Sequence, residues 1–433
     1  MKITLLGLLL GASSIFPGSI AVVQAQIAIS EINYNSDSLN SSGDWIELFN
    51  YSTSSVDLSL WKIMDSQPAN AFTIPTGTVI PPNGRLVLAE NLIKFDQRFP
   101  GIPRLGPLSF GLAGSGEQIT LMDQNGIVKV QLTYDDSLPW SKCADGMGRT
   151  LEIIDPQGNP NDPANWRCGC VLGSPNAPFT PCTSEVVVVS EINYNSDSVN
   201  NPADWFELWN TSNSPVNISN WYVRDDNNGN VFQLPPNTYL NPKARLVVYR
   251  DAAAFSAMFP HVTNKVGPFS FGLSNSGDCI RIYDSQDRLK FTVCYADKLP
   301  WPLEADGGGY TLELDTLFNP SQDVCSPNSW FIGCLYGSPG KAFSPCNASF
   351  PESTAPLAVQ IFPNPTRDLI TIETGMESEG LVQLMDLQGR FISTNKVLSF
   401  PITLSLQDFS EGLYVVRVEQ EGRIALHKLA LLR

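Results

Sequence analysis

Ser30-Glu31-Ile32-Asn33-Tyr34-Asn35-Ser36-Asp37-Ser38 occurs twice in this chain, returning unchanged as Ser190-Glu191-Ile192-Asn193-Tyr194-Asn195-Ser196-Asp197-Ser198. The match then continues in order. Asp44-Trp45 with Glu47-Leu48 returns as Asp204-Trp205 with Glu207-Leu208, and Phe110-Gly111-Leu112 as Phe271-Gly272-Leu273. Further on, Leu138-Pro139-Trp140 returns as Leu299-Pro300-Trp301, and Gly173-Ser174-Pro175 as Gly337-Ser338-Pro339. The spacing between copies drifts only from 160 to 164 residues, so the two are collinear. A unit this long is a whole domain rather than one turn of a solenoid.

Within each copy the pattern is one of short alternating runs. Trp45-Ile46-Glu47-Leu48-Phe49 alternates apolar and polar faces, and Gln118 to Met122 does the same before the hairpin signal Asp123-Gln124-Asn125-Gly126. Only Leu92–Phe99 and Asp251–Phe259 read as short helices. Many short strands with regular turns predict an all-β sandwich. Ser-Glu-Ile, then Asp-Trp-x-Glu-Leu, then Val56-Asp57-Leu58-Ser59 before Trp61, then Phe-Gly-Leu, resembles the lamin tail domain. The resemblance implies two tandem immunoglobulin-like β-sandwiches, expected over 26–183 and 184–347, each with a Cys-rich extension.

A polar linker is expected over 348–356, and a different pattern fills 357–433. Phe362-Pro363-Asn364-Pro365 opens it, Leu384 to Arg390 reads as a strand and turn, and Gly412-Leu413-Tyr414 begins a late strand. These motifs resemble the C-terminal sorting domain of the type IX secretion system of Bacteroidetes. That resemblance implies a small third β-sandwich, passage across the outer membrane by the secretion machinery, and attachment to surface lipopolysaccharide after cleavage. The other end agrees. Lys2, the apolar run Leu5–Phe16 and Val23-Gln24-Ala25 read as a secretory signal peptide over 1–25. No later stretch reaches the ~18 apolar residues of a membrane helix.

The chain of 433 residues has a net charge of -16, nearly all of it within 26–356. Such a surface repels phosphate backbones, which argues against nucleic acid and in favour of cations. There are two histidines, His261 and His427, and no Gly-x-Ser-x-Gly, Walker loop or His-Glu-x-x-His. No catalytic residue is assigned, and a non-enzymatic surface protein, an adhesin or scaffold for a protein or glycan ligand, is the expected function. The alternative is an extracellular hydrolase or accessory module built on carboxylates such as Asp44, Glu47, Asp204 and Glu207.

The repeated acids Asp37, Asp44 and Asp65, with Asp197, Asp204 and Asp225, are candidate Ca²⁺ ligands if they converge at one end of each sandwich. Otherwise they cap turns, while Glu31 and Glu47 lie on solvated strand faces. Trp61 and Trp221 are expected in the core; Trp140 and Trp301 are the surface candidates. Asp37-Ser38-Leu39 and Asp197-Ser198-Val199 resemble O-glycosylation acceptors of Bacteroidetes. Nine cysteines in an exported chain predict disulfides. Equal spacing pairs Cys170 with Cys182 and Cys334 with Cys346. A hairpin faces Cys279 towards Cys294, and Cys143 and Cys168 are left to each other. Cys325 is then free, or competes for Cys334.

Overall fold

The computed structural model describes residues 27–179, 182, 184–315, 323–343, 357–375, 377–386, 391–407, 409–420 and 423–432. The signal peptide, Cys346 and the linker residues 348–356 lie outside them.

Each repeat is built on two facing, mostly antiparallel sheets, with a two-stranded sheet beside them (56–57 with 79–80, and 216–217 with 239–240). In the first, a six-stranded sheet runs in the order 166–168, 151–153, 27–33, 45–50, 85–89, 104–105, with only its last edge parallel. A four-stranded sheet, 128–134, 117–122, 62–64, 72–73, covers it. The second repeat reproduces both sheets strand for strand. Strands from the Cys-rich extensions, Leu151–Ile153 with Trp166–Cys168 and Tyr310–Leu314 with Trp330–Leu335, complete the larger sheets.

Alternation decides which side chains fill the space between sheets. Ile32, Ile46, Leu48 and Leu88 from one sheet meet Ile63, Ile119, Leu121 and Leu132 from the other, all buried, and Trp61 joins them. Trp221 takes the same place in the second core. The expected helices are observed as Leu92–Arg98 and Ala252–Met258, capped by Asn91 and Asp251, whose side chains accept backbone N–H bonds. They lie on the outer face of the large sheets, where Phe95 and Phe255 pack edge-on against the buried Trp45 and Trp205.

The C-terminal region is a smaller sandwich of a three-stranded sheet (359–362, 369–374, 402–405) and a four-stranded one (391–397, 380–385, 412–420, 423–431). Its own core includes Ile370, Ile372, Val382, Val416, Val418 and Leu429.

The disulfides are Cys143–Cys325, Cys170–Cys182 and Cys279–Cys294. Cys334 is disulfide-bonded, and its expected partner Cys346 lies outside the described residues. The pairing of Cys143 with Cys168 is corrected: Cys143 reaches across to Cys325 in the second repeat, and Cys168 is a buried free thiol. Elimination within one copy could not foresee a bond between copies.

Candidate functional site

Glu31 sits in register between Glu47 and Glu152 on adjacent strands, so three carboxyls line one row of the outer sheet face. All three are almost completely buried, which corrects the expected place of Glu31 and Glu47 on solvated strand faces. The segment around Gly173-Ser174-Pro175 covers them. Ser174 N–H donates to Glu31 (2.9 Å), Asn176 N–H to Glu47 (2.6 Å) and Ser174 Oγ to Glu152 (3.0 Å). Arg85 pairs with Glu47 at 2.5 Å. The second repeat repeats the arrangement with Glu191, Glu207, Glu313, Ser338, Gly340 and Arg245.

The matched spacing of the Gly-Ser-Pro copies now has a cause. A Cβ on Gly173 would stand 2.4 Å from Glu31 Oε1, and its φ of +82° is a left-handed value suited to glycine. Burial pushes Glu31 and Glu191 well above the usual carboxylate range, and Glu152 and Glu313 to about 7. Arg85 opposes the same shift at Glu47 without cancelling it. Buried and hydrogen-bonded in this way, the row ties the covering segment to the large sheet.

The six aspartates do not converge. Among the described residues, no three carboxylates bring their oxygens within 4.8 Å; the groups that do so contain cysteine. Asp65 accepts from Gln67 N and Asn70 Nδ2, and Asp225 from Asn227 N and Asn230 Nδ2. Asp44 holds Leu112 N (2.8 Å), and Asp204 holds Leu273 N together with Arg250. Burial raises Asp44 to about 6. Asp197 caps Val199 and Asn200 of its own loop. Each is a turn cap.

Asp37 differs from its copy. Its Oδ1 accepts from Tyr283 Oη at 2.6 Å and from Arg281 at 3.3 Å, both in the second repeat. All three side chains are buried. Around them Asn40 donates to the Asp287 carbonyl (3.0 Å), and Arg149 donates to the Thr292 carbonyl (3.0 Å) while pairing with Glu185 (2.5 Å). The loop end of the first repeat thus docks on the outer face of the second repeat's small sheet. The loop Asp145–Gly148 belongs to this junction: Asn35 holds Asp145 (2.7 Å), and Gly148 abuts Leu289.

Sequence reading missed this junction, whose trace in the sequence is Arg281 and Tyr283 where the first copy has Thr120 and Met122. Asp278-Cys279-Ile280-Arg281-Ile282-Tyr283 is buried at every position, whereas its copy Glu117-Gln118-Ile119-Thr120-Leu121-Met122 is half-open. A strand buried on both faces has something on each side.

Beside the junction lies a cleft of about 790 Å³, lined from both repeats. Trp140 and Trp166 stand on one side, their rings 6.1 Å apart, and Trp301 on the other. Lys142, Arg167 and Lys298 with Asp136, Asp162 and Asp297 supply its polar wall. Trp140 and Trp301 are only 7% and 3% exposed, so they are packing residues beneath the cleft and not surface platforms. Their partners Trp166 and Trp330 cover them. Asp297 Oδ1 is a buried acceptor without a partner among the described residues.

Paired sandwiches with a cleft between them, followed by a third small sandwich, define a multidomain immunoglobulin-like β protein. The lamin tail domain model matches residues 22–136 and 181–297, more than half of the chain, which belongs to that family. Residues 360–431 match the secretion system C-terminal sorting domain, which directs export to the cell surface or extracellular space and engages the secretion machinery. Both are non-catalytic kinds of domain, and no enzymatic family is indicated.

No curated protein matches. Among solved structures, the extracellular domain assigned to a one-component system from B. thetaiotaomicron is 10% identical, with 90% of this chain and 61% of that chain covered and a TM-score of 0.14. One assigned to a hybrid two-component system from the same organism is 9% identical over 94% and 59%, also with a TM-score of 0.14. This chain spans about three-fifths of their length, and likeness at this level carries no argument. Among the described residues no helix is long and apolar enough to cross a membrane.

Proposed function

We propose that this protein is a non-enzymatic cell-surface adhesin or scaffold that takes its ligand in the cleft between the repeats. The cleft carries the reading, because both copies contribute to one concavity of ligand size. Its Lys and Arg cations and its carboxylates suit a hydroxyl-rich or extended polar ligand, an oligosaccharide or a surface peptide. The unpaired Asp297 oxygen offers an acceptor to such a ligand. After export, attachment to surface lipopolysaccharide would hold the cleft outside the cell.

Screening the mature protein on glycan and peptide arrays tests this. Asp297→Asn and Lys298→Glu, both at the cleft wall, should each weaken the identified binding at least ~10-fold without lowering the melting temperature. Binding unaffected by both would refute the site. Asp136, Asp162 and Asp297 also keep the hydrolase reading open, since they are carboxylates that a substrate in the cleft could reach. Turnover of a bound glycan or peptide, lost in Asp297→Asn, would favour it instead.

A further inference from the structure

Three sulfurs meet where the repeats join. Cys143 of the first repeat is bonded to Cys325 of the second, and the Sγ atoms of Cys143, Cys168 and Cys325 all lie within 4.8 Å of one another. Cys168 is the free member, buried, with Ser141 Oγ 2.8 Å from its sulfur. Its backbone N–H donates to Asp323 Oδ2 at 2.9 Å, fixing its strand beside the segment that carries Cys325. Cys325 lines the inner wall of the cleft, and all three cysteines are buried. One thiol beside one disulfide is the complete reactant set for exchange.

We propose that Cys143, Cys168 and Cys325 form an internal thiol–disulfide exchange centre, in which a single disulfide passes between an inter-repeat form, Cys143–Cys325, and an intra-repeat form, Cys143–Cys168. In the forward step Cys168 Sγ loses its proton past the Ser141 hydroxyl and attacks Cys143 Sγ. The Cys143–Cys325 bond breaks, its electron pair stays on Cys325 Sγ, and that sulfur takes up a proton. One S–S bond forms, one breaks, and no oxidant or reductant enters. The Thr292 carbonyl, 3.9 Å from Cys325 Sγ, is placed to accept the new thiol's hydrogen bond.

The two forms have the same oxidation state and differ in connectivity. In one, the repeats are tied by a disulfide at the cleft; in the other, non-covalent contacts such as Asp37–Arg281, Asn40–Asp287 and Arg149–Thr292 hold the junction. The attacking group is the thiolate. Burial holds the Cys168 thiol well above its ordinary value, the neighbouring Asp323 and Glu152 carboxylates push it the same way, and Arg149 and the Ser141 hydroxyl oppose them. Exchange is therefore slow at neutral pH and speeds up in alkali.

Disulfide mapping of the unreduced mature protein tests the proposal and needs no ligand, so its outcome is separate from that of the cleft. Samples held at pH 6 and pH 9 are acid-quenched, denatured, alkylated and mapped by peptide mass. The label should sit on Cys168 at pH 6. At pH 9 at least ~10% of it should move to Cys325, with a matching Cys143–Cys168 linked peptide and no dependence on protein concentration. A label confined to Cys168 after days at pH 9, or a shift that grows with concentration, overturns the proposal. Cys325→Ser supplies a second reading. Folded and air-exposed, it should contain the Cys143–Cys168 disulfide, and two free thiols there would overturn the proposal equally.

Discussion

Glu31 shows what a buried carboxyl does when its neighbours are carboxyls. Desolvation and the charges of Glu152 and Glu47 all favour its protonated form. The folded chain therefore holds protons that the unfolded chain releases near pH ~4.3. With Glu152 and Glu313 raised to about 7, more protons are bound in the native state between those values. Stability is then fully present below the unfolded value and falls as pH rises through about 7. The mature protein should be less stable at pH 8 than at pH 5 by more than ~1 kcal/mol per repeat, and melt at a correspondingly lower temperature, since a tenfold change in proton affinity is worth ~1.4 kcal/mol. Glu152→Gln with Glu313→Gln should flatten that slope in a calorimetric series. Glu31 and Glu47 alternate with apolar residues as solvated positions do, so their burial was not legible; the cover arrives from more than a hundred positions away.

At the scale of elements, the segment closed by Cys170–Cys182 is the cover for that row. It buries few apolar side chains and holds on through backbone N–H groups aimed at carboxylates. Cys170→Ser with Cys182→Ser should destabilise the first repeat by ~3 kcal/mol, the size expected for a loop this short. Amide exchange at Ser174 and Asn176 should accelerate well before global unfolding. Gly173→Ala should cost ~2 kcal/mol in urea melts, because the new methyl meets Glu31 and the left-handed backbone disfavours it. The strands and both helices were readable, since alternation and capping are local. The partition of tryptophans was readable only in part: Trp61 follows a core pattern, while the cover over Trp140 comes from Trp166 in a later strand.

For the whole molecule, the same residue type does two jobs in its two copies. Asp37 is an acceptor at a sealed junction; Asp197 caps a surface loop. Asp37→Ala should lose ~3 kcal/mol, the penalty for stranding Arg281 as a buried charge. Asp197→Ala should lose no more than ~1 kcal/mol, the usual size of a cap. Denaturant melts of the two variants would reveal the asymmetry, and equal effects would contradict it. Removing residues 357–433 should leave the tandem pair folded but abolish its display on the cell exterior, as read by surface proteolysis. The duplication and the tail were legible because they are repeats and motifs. The junction was not, because it rests on differences between the copies, and comparison of copies looks for likeness.

Docking by unlike faces gives the pair a direction: the first unit supplies the plug, Asp37, and the second the socket, Arg281 and Tyr283. A third unit could continue such a stack as a screw. The positions that form the socket in the second unit, Arg281 and Tyr283, are Thr120 and Met122 in the first. The first unit therefore offers no such socket to the Asp197 of another copy. Writing arginine and tyrosine back into those places would offer Asp197 of another molecule the counterpart it lacks, turning a finite display protein into the monomer of a filament.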